Sequence, residues 1–186
     1  MKKTILTILM CGLILISLTG CGKEPSEDGK KDPQEIEEKY GTVEKETVDV
    51  LVAKFNTEVV DNNDLNPASI DYLTEDNNQY WYGLIEGIYL VIVPEKYTGD
   101  KATDIVDYML IYVNKTTSYE SNVIPYAKYL IKANNNEITD TEIDMLLKDA
   151  KDTASSGKTS NNGKGISVGY LEKDDSYQYQ ILRWYK

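Results

Sequence analysis

Residues 79–93 constrain the fold more than any other stretch of the chain. Gln79-Tyr80-Trp81-Tyr82-Gly83-Leu84-Ile85 and Ile88-Tyr89-Leu90-Val91-Ile92-Val93 are dense in aromatic and β-branched residues, the composition that suits a pleated, half-buried surface. Glu86-Gly87 between them predicts a tight hairpin turn or a bulge. Pro94 ends the second run because it cannot donate to a ladder. A third strand is predicted over 104–115. Its core, Ile105-Val106-Asp107-Tyr108-Met109-Leu110-Ile111-Tyr112-Val113, is too apolar for a one-faced edge strand and reads as central. The C-terminus predicts a second hairpin, 165–171 pairing with 177–185 across 172–176. In it Ile166, Val168 and Tyr170 alternate with Ser167 and Gly169, as one side of a strand should.

Helical spacing occurs in three places. Over 44–62, Val48, Leu51, Val52, Phe55 and Val59 share one face, and Asp61 to Asp64 predicts a stop with a left-handed cap. Over about 120–134, Val123, Ile124, Ala127, Leu130 and Ile131 form an apolar face; Pro125 fits only in the first turn, and Asn134 to Asn136 predicts another left-handed stop. Thr139-Asp140-Thr141-Glu142 spells a capping box, with Ile138 and Ile143 as its hydrophobic staple. Residues 68–78 stay ambiguous between a short strand and a turn, and 153–164 reads as a polar loop. The order α-β-β-β-α-α-β-β predicts a two-layer α+β domain, an antiparallel sheet of about five strands against three helices. The α-then-β blocks 44–115 and 120–185 hint at a pseudo-repeat, though no residue-level self-similarity accompanies it.

The N-terminus carries a different message. Lys2 and Lys3 precede an apolar run from Ile5 to Leu18, and Leu18-Thr19-Gly20-Cys21 follows. The run is shorter than the roughly 20 residues a bilayer requires and has the charge and length of an export signal. Leu18 to Cys21 resembles the lipobox of bacterial lipoproteins. The resemblance covers residues 1–22 only and implies cleavage before Cys21, a diacylglyceryl thioether on its sulfur, acylation such as palmitate on its new amine, and an outward-facing, lipid-anchored place on the cell membrane. Residues 22–42 are rich in charge, Pro and Gly and cannot bury enough surface to offset their conformational entropy. The expected layout is a lipoprotein signal peptide over 1–20, a flexible charged tether over 21–43 and a single α+β domain over 44–186. The chain resembles the small lipoproteins of Gram-positive bacteria, on the strength of the signal alone.

Composition excludes much chemistry. There is no histidine, and of the two cysteines Cys11 lies in the signal while Cys21 is the lipidation site. Disulfides, thiolate metal sites, cysteine nucleophiles and Ser-His-Asp arrangements are thereby removed. The net charge of −11 becomes −13 once Lys2 and Lys3 leave, 18 basic against 31 acidic residues. Such a surface repels a phosphate backbone, so no nucleic-acid partner is expected.

The motifs that invite a catalytic reading fail on inspection. Gly157-Lys158-Thr159 resembles the end of a phosphate loop, but Asp152 stands where the first glycine belongs. Ser155-Ser156-Gly157-Lys158 matches Ser-x-x-Lys without the surrounding domain. A calcium loop begun at Asn62 would need Gly and Glu where Pro67 and Leu73 stand. The acids Glu137, Asp140, Glu142, Asp144, Asp149 and Asp152 are explained by helix capping and a solvated face. No metal and no cofactor is expected.

Fifteen tyrosines remain. Tyrosine has an apolar body and a polar tip, suited to sugar stacking or protein interfaces, and equally to ordinary packing on strands. The candidate binding face is Tyr80, Tyr82, Tyr177, Tyr179, Arg183 and Tyr185. Residues 177 to 185 alternate, so Gln178, Gln180, Leu182 and Trp184 share the opposite face, and either face can be the core one. The expected function is a membrane-anchored, non-catalytic binding or protein-interaction module with an envelope protein or glycan as partner. The alternative is a carboxylate-based enzyme acting on envelope glycans, which needs two acids about 5–9 Å apart in a cleft. A helices-then-sheet layout loosely resembles inhibitors of the β-lactamase-inhibitor-protein type and nuclear-transport-factor-like folds, which implies a sheet face that docks a protein.

Overall fold

A computed structural model describes residues 41–61, 65–69, 78–161 and 163–185. The signal segment, Cys21, the tether up to residue 40 and the ambiguous stretch 70–77 lie outside the described residues. The described chain forms an antiparallel six-stranded sheet and three α-helices, the α+β class expected from the sequence. The helices are α1 (Val48–Val60), α2 (Val123–Asn134) and α3 (Asp140–Asp152). The strands are β1 (Tyr80–Ile85), β2 (Ile88–Pro94), β3 (Val106–Asn114), β4 (Ser160–Asn161), β5 (Ile166–Glu172) and β6 (Ser176–Arg183).

The strands lie in the order β1-β2-β3-β6-β5-β4. β3 and β6 pair antiparallel at the centre, β2 and β5 flank them, and β1 and β4 end the sheet. Each half of the chain therefore runs from a helix to an edge strand and then inward, with α2 as the addition to the second half. The pseudo-repeat is one of topology. The sixth strand, β4, lies in the stretch read from the sequence as a loop; its two residues carry no apolar alternation that could reveal it.

The hairpin turn at Glu86-Gly87 forms as expected, with Gly87 at φ +80°. A Cβ there would lie 2.8 Å from Cβ of Thr117, so both the backbone conformation and the neighbour demand glycine. Pro94 sits opposite Val106 at a register shift, where β2 ends. The Thr139 hydroxyl accepts from the Glu142 amide and the Glu142 carboxylate accepts from the Thr139 amide, completing the capping box. Ile138 and Ile143 are both buried beside it.

Two helix ends differ from expectation. Asn135 caps α2 in an extended conformation rather than a left-handed one; Asp61 caps α1 in the right-handed region, and the rest of its expected stop, 62–64, lies outside the described residues. α1 also begins at Val48 rather than 44. Residues 43–47 run extended because they pair: Val43 with Tyr185 and Thr47 with Ile105. The amides of Val48 and Asp49 donate to the carbonyls of Asp104 and Lys101 at 3.0 and 3.1 Å, satisfying helix-end donors that Thr47 leaves free. Val43 joins the core, so the domain begins before residue 44 and takes in residues assigned to the tether.

All three helices cover the same face of the sheet. Five apolar side chains of α1, among them Leu51 and Phe55, are buried. They belong to one core with Tyr80, Tyr82, Leu90, Ile92, Met109, Ile111, Ile181 and Val168 of the sheet. Each such side chain contributes about 1.5–3 kcal/mol on leaving water. Ion pairs Lys128–Asp144 and Lys132–Asp140 join α2 to α3 at 2.6 Å; as partly exposed pairs each contributes at most about 1 kcal/mol.

Candidate binding surface

The sheet has two faces, and the helices take one. The tyrosine face named from the sequence is the covered one, a correction forced by packing. Tyr80, Tyr82, Tyr179 and Arg183 are buried, and Tyr177, 9% exposed, closes the rim of the same core. Three of them donate inward. Tyr80 donates to the Asp104 carboxylate at 2.6 Å, and Tyr177 donates to the Glu120 carboxylate. The Arg183 guanidinium donates to the Glu44 carbonyl at 2.7 Å and lies over the half-buried Tyr185 ring at 5.3 Å. Tyr185 in turn donates to the Val106 carbonyl. Burial pushes the Tyr185 phenol up to about 12, and burial, reinforced by Glu120, raises Tyr177. These contacts tie the helix side of the sheet together.

The accessible surface is the opposite one, carrying Gln178, Gln180, Leu182 and Trp184. The register lays it out in rows across the strands. One row runs Trp81, Val91, Leu110, Gln180, Gly169. The next runs Gly83, Tyr89, Tyr112, Gln178, Leu171. A third runs Val93, Tyr108, Leu182, Ser167. No formally charged residue stands in any row. Val91 and Leu110 are buried by their neighbours, whereas Trp81, Tyr89, Tyr108, Tyr112, Leu171 and Leu182 stay half-buried.

At the β1 side of this face three rings meet. Trp81 stands edge-on to Tyr112 at 5.4 Å and to Tyr89 at 6.0 Å, and Tyr89 lies 6.3 Å from Tyr112. Such edge-to-face pairs set each ring against its neighbours. The Trp81 indole N–H is buried and has no acceptor among the described residues.

Tyr89 also forms one wall of a cavity of about 250 Å³ at the end of the sheet. Glu86, Gly87, Asn114, Thr116, Thr117 and Ser118 complete the lining. The walls are fixed from both sides. The Asn114 amide donates to the Gly87 carbonyl at 2.8 Å and the Thr117 hydroxyl to the Glu86 carbonyl at 2.6 Å. Lys115 ties the same loop to the β5–β6 turn, its amide donating to Asp175 at 2.9 Å and its ammonium to the Lys173 carbonyl at 2.6 Å. The Glu86 carboxylate, the Asn114 side-chain amide and the Thr116 and Ser118 hydroxyls are left with no partner among the described residues.

A second hollow, of about 240 Å³, lies between α3 and β4 and is lined by Glu142, Met145, Leu146, Asp149, Ser160 and Asn161. Its Glu142 carboxylate is spent on Lys164 and on Thr139, which together hold it at about 2. A general acid needs the opposite shift. Among the described residues no three His, Cys, Asp or Glu side chains gather as a metal site, and no helix is long and apolar enough to cross a membrane.

Comparison of the chain with family models, with curated proteins and with solved structures gave no match. The functional reading therefore rests on residues and geometry. Trp81, Tyr89 and Tyr112 were not singled out from the sequence, although a signal existed. In β2 and β3 one parity is wholly aliphatic or thioether (Ile88, Leu90, Ile92; Met109, Ile111, Val113) and the tyrosines fall on the other, which places them away from the core.

Proposed function

We propose that this chain is an extracytoplasmic, lipid-anchored binding module with no catalytic role, and that it engages its partner through the open sheet face. The observation that carries the reading is the uncharged, aromatic-rich surface centred on Trp81, Tyr89 and Tyr112. Contiguous half-exposed apolar surface of this kind marks interaction sites, and aromatic enrichment with charge depletion is the signature of an interface core. The anchor at Cys21 rests on the lipobox resemblance and would hold the domain at the outer side of the cell membrane, with the charged tether as spacer.

Catalysis by paired carboxylates is disfavoured by the two cavities. Glu86 is the one acid lining the first, and of the two acids in the second, Glu142 and Asp149, Glu142 is ion-paired and capping a helix.

The test places a photoreactive residue at Leu182 on the open face, and in a second strain at Met145 on α3, in the full chain within its own envelope. Adducts that form from Leu182, do not form from Met145, and disappear when Tyr112→Asp is added support the reading. Identical adduct patterns from both positions, or none from Leu182, overturn it. Cys21→Ala should leave the precursor unlipidated by mass spectrometry; a fatty-acylated Cys21→Ala product would refute the anchor.

A further inference from the structure

The open face ends, beyond Tyr89, in a polar concavity whose chemistry differs from that of the flat apolar rows. One wall is an aromatic ring already held by two others. The remaining walls offer a carboxylate, a carboxamide and two hydroxyls, none of them engaged within the described protein. The backbone that carries these groups is held by the hydrogen bonds between the 114–118 loop and the β1–β2 turn, so a ligand has only side chains to order. Pockets with an apolar wall and a few convergent polar groups are the usual form of small-ligand sites.

From this we infer that the cavity at Glu86, Tyr89, Asn114 and Ser118 is a saccharide-binding site, and that its ligand is a neutral, β-linked hexopyranose chain. The inference rests on the binding-module reading and names its ligand class. A β-linked pyranose has equatorial hydroxyls and a flat face of C–H groups. The C–H face carries slight positive charge and suits the negative face of the Tyr89 ring. The equatorial hydroxyls are both donors and acceptors, matching the acceptor-only Glu86 carboxylate and the two-way Asn114 amide and Ser118 hydroxyl. No cation lines the cavity and the chain is strongly acidic, so a phosphorylated or carboxylated polymer would be repelled. A protein partner suits the flat rows better than this concavity, because the cavity lacks an apolar floor. Further sugar units would extend over Tyr112 towards Gln178 and Gln180, whose amides continue the polar edge of the platform.

The full chain, in micelles of a detergent free of sugar, is titrated with cellotetraose and with the tetramer of β-1,4-linked N-acetylglucosamine. Tryptophan emission is the readout. Trp81 and Trp184 are the only reporters, and Trp184→Phe leaves Trp81 alone. The expected result is a saturable change with dissociation constants on the order of 0.1–1 mM. Tyr89→Ala should weaken binding about tenfold and Tyr89→Phe should restore it, since the ring and not the hydroxyl does the stacking. Asn114→Ala should weaken it about three- to tenfold. Circular dichroism on each variant separates lost binding from lost fold. No saturable change with either tetramer up to about 10 mM overturns the inference, as does a change that Tyr89→Ala leaves intact. A mass that doubles with protein concentration and falls back with Tyr89→Ala overturns it in favour of a second copy on this face. Where the sugars fail while adducts from Leu182 still form, the ligand class is wrong and the binding module stands; where both fail, the binding module falls too.

Discussion

The Arg183 guanidinium donates to the main-chain carbonyl of Glu44 at 2.7 Å, across 139 residues of sequence. The contact joins the extended segment before α1 to the last strand. Beside it the Val43 amide donates to the Trp184 carbonyl at 2.7 Å. Any tether from a lipid anchor thus enters the domain next to the C-terminal end of β6. Arg183 is the only arginine of the chain, and its side chain is fully buried with Glu46 at 3.6 Å. Arg183→Ala should lower stability by about 2 kcal/mol, because a buried charge partner and its packing are lost together. The Val43 amide should exchange with solvent faster in this variant than in the parent. Unchanged exchange at Val43 would show that the segment is held by other means.

The assignment of covered and open faces has a direct stability test. Ile111 and Leu182 lie on neighbouring central strands and face opposite ways. Ile111→Ala should cost about 3–4 kcal/mol, the range for a buried aliphatic side chain in a packed core. Leu182→Ala should cost less than about 1 kcal/mol. Urea midpoints measure both, and equal losses would refute the assignment.

Acid should loosen the loop that receives the start of α1. Burial pushes Asp104 up, but the Thr98 hydroxyl and amide and the Tyr80 hydroxyl outweigh it and hold its carboxyl below the usual aspartate range. A carboxyl lowered in the folded state contributes stability above its unfolded value, and that contribution is lost as pH falls through the folded one. Glu142, held at about 2 by Lys164 and Thr139, acts in the same direction. Melting temperature should therefore decline below about pH 4, and Asp104→Asn should flatten part of that decline. An identical acid profile for parent and Asp104→Asn would remove Asp104 from the explanation.

At the alkaline end the sign reverses. The Tyr177 phenol donates to Glu120 and is raised above the ordinary tyrosine value by burial and by that carboxylate. Its contribution is complete below about pH 10 and is lost as the phenol ionises. Tyr177→Phe should reduce the pH dependence of stability above about pH 10, followed by chemical denaturation across that range.

Gly87→Ala tests whether the cavity is preformed. The residue sits at φ +80° and a methyl group would press on Thr117 at 2.8 Å. A loss of about 1–2 kcal/mol is expected, together with weaker sugar binding as the 114–118 loop shifts. Full stability with full binding would mean that the turn adapts freely.

Local chemistry made much of the architecture legible. Glu86-Gly87, Pro94, Pro125 and the Thr139–Glu142 box each act within a few residues, and the elements they delimit formed as the sequence predicts. The helix faces of α1 and α3 were legible for the same reason, with Ile124 on α2 as the exception, 38% exposed. β4 was not legible, since two polar residues become a strand only by pairing with Ser167 and Val168. The extended run 43–47 was hidden likewise, its partners lying at Ile105 and Tyr185.

The candidate site followed the same division. From the sequence alone came the element types, the approximate element ends, the absence of histidine, and the abundance of tyrosine. Which tyrosines face solvent was decided only by the tertiary structure. A strand shows two faces of equal standing, and in β1 both carry aromatic and aliphatic side chains. The choice belongs to the helices, which land on the face of Ile111 and Met109 and leave Trp81, Tyr89 and Tyr112 uncovered. That landing depends on contacts between residues far apart in the chain, and no window of sequence contains both partners.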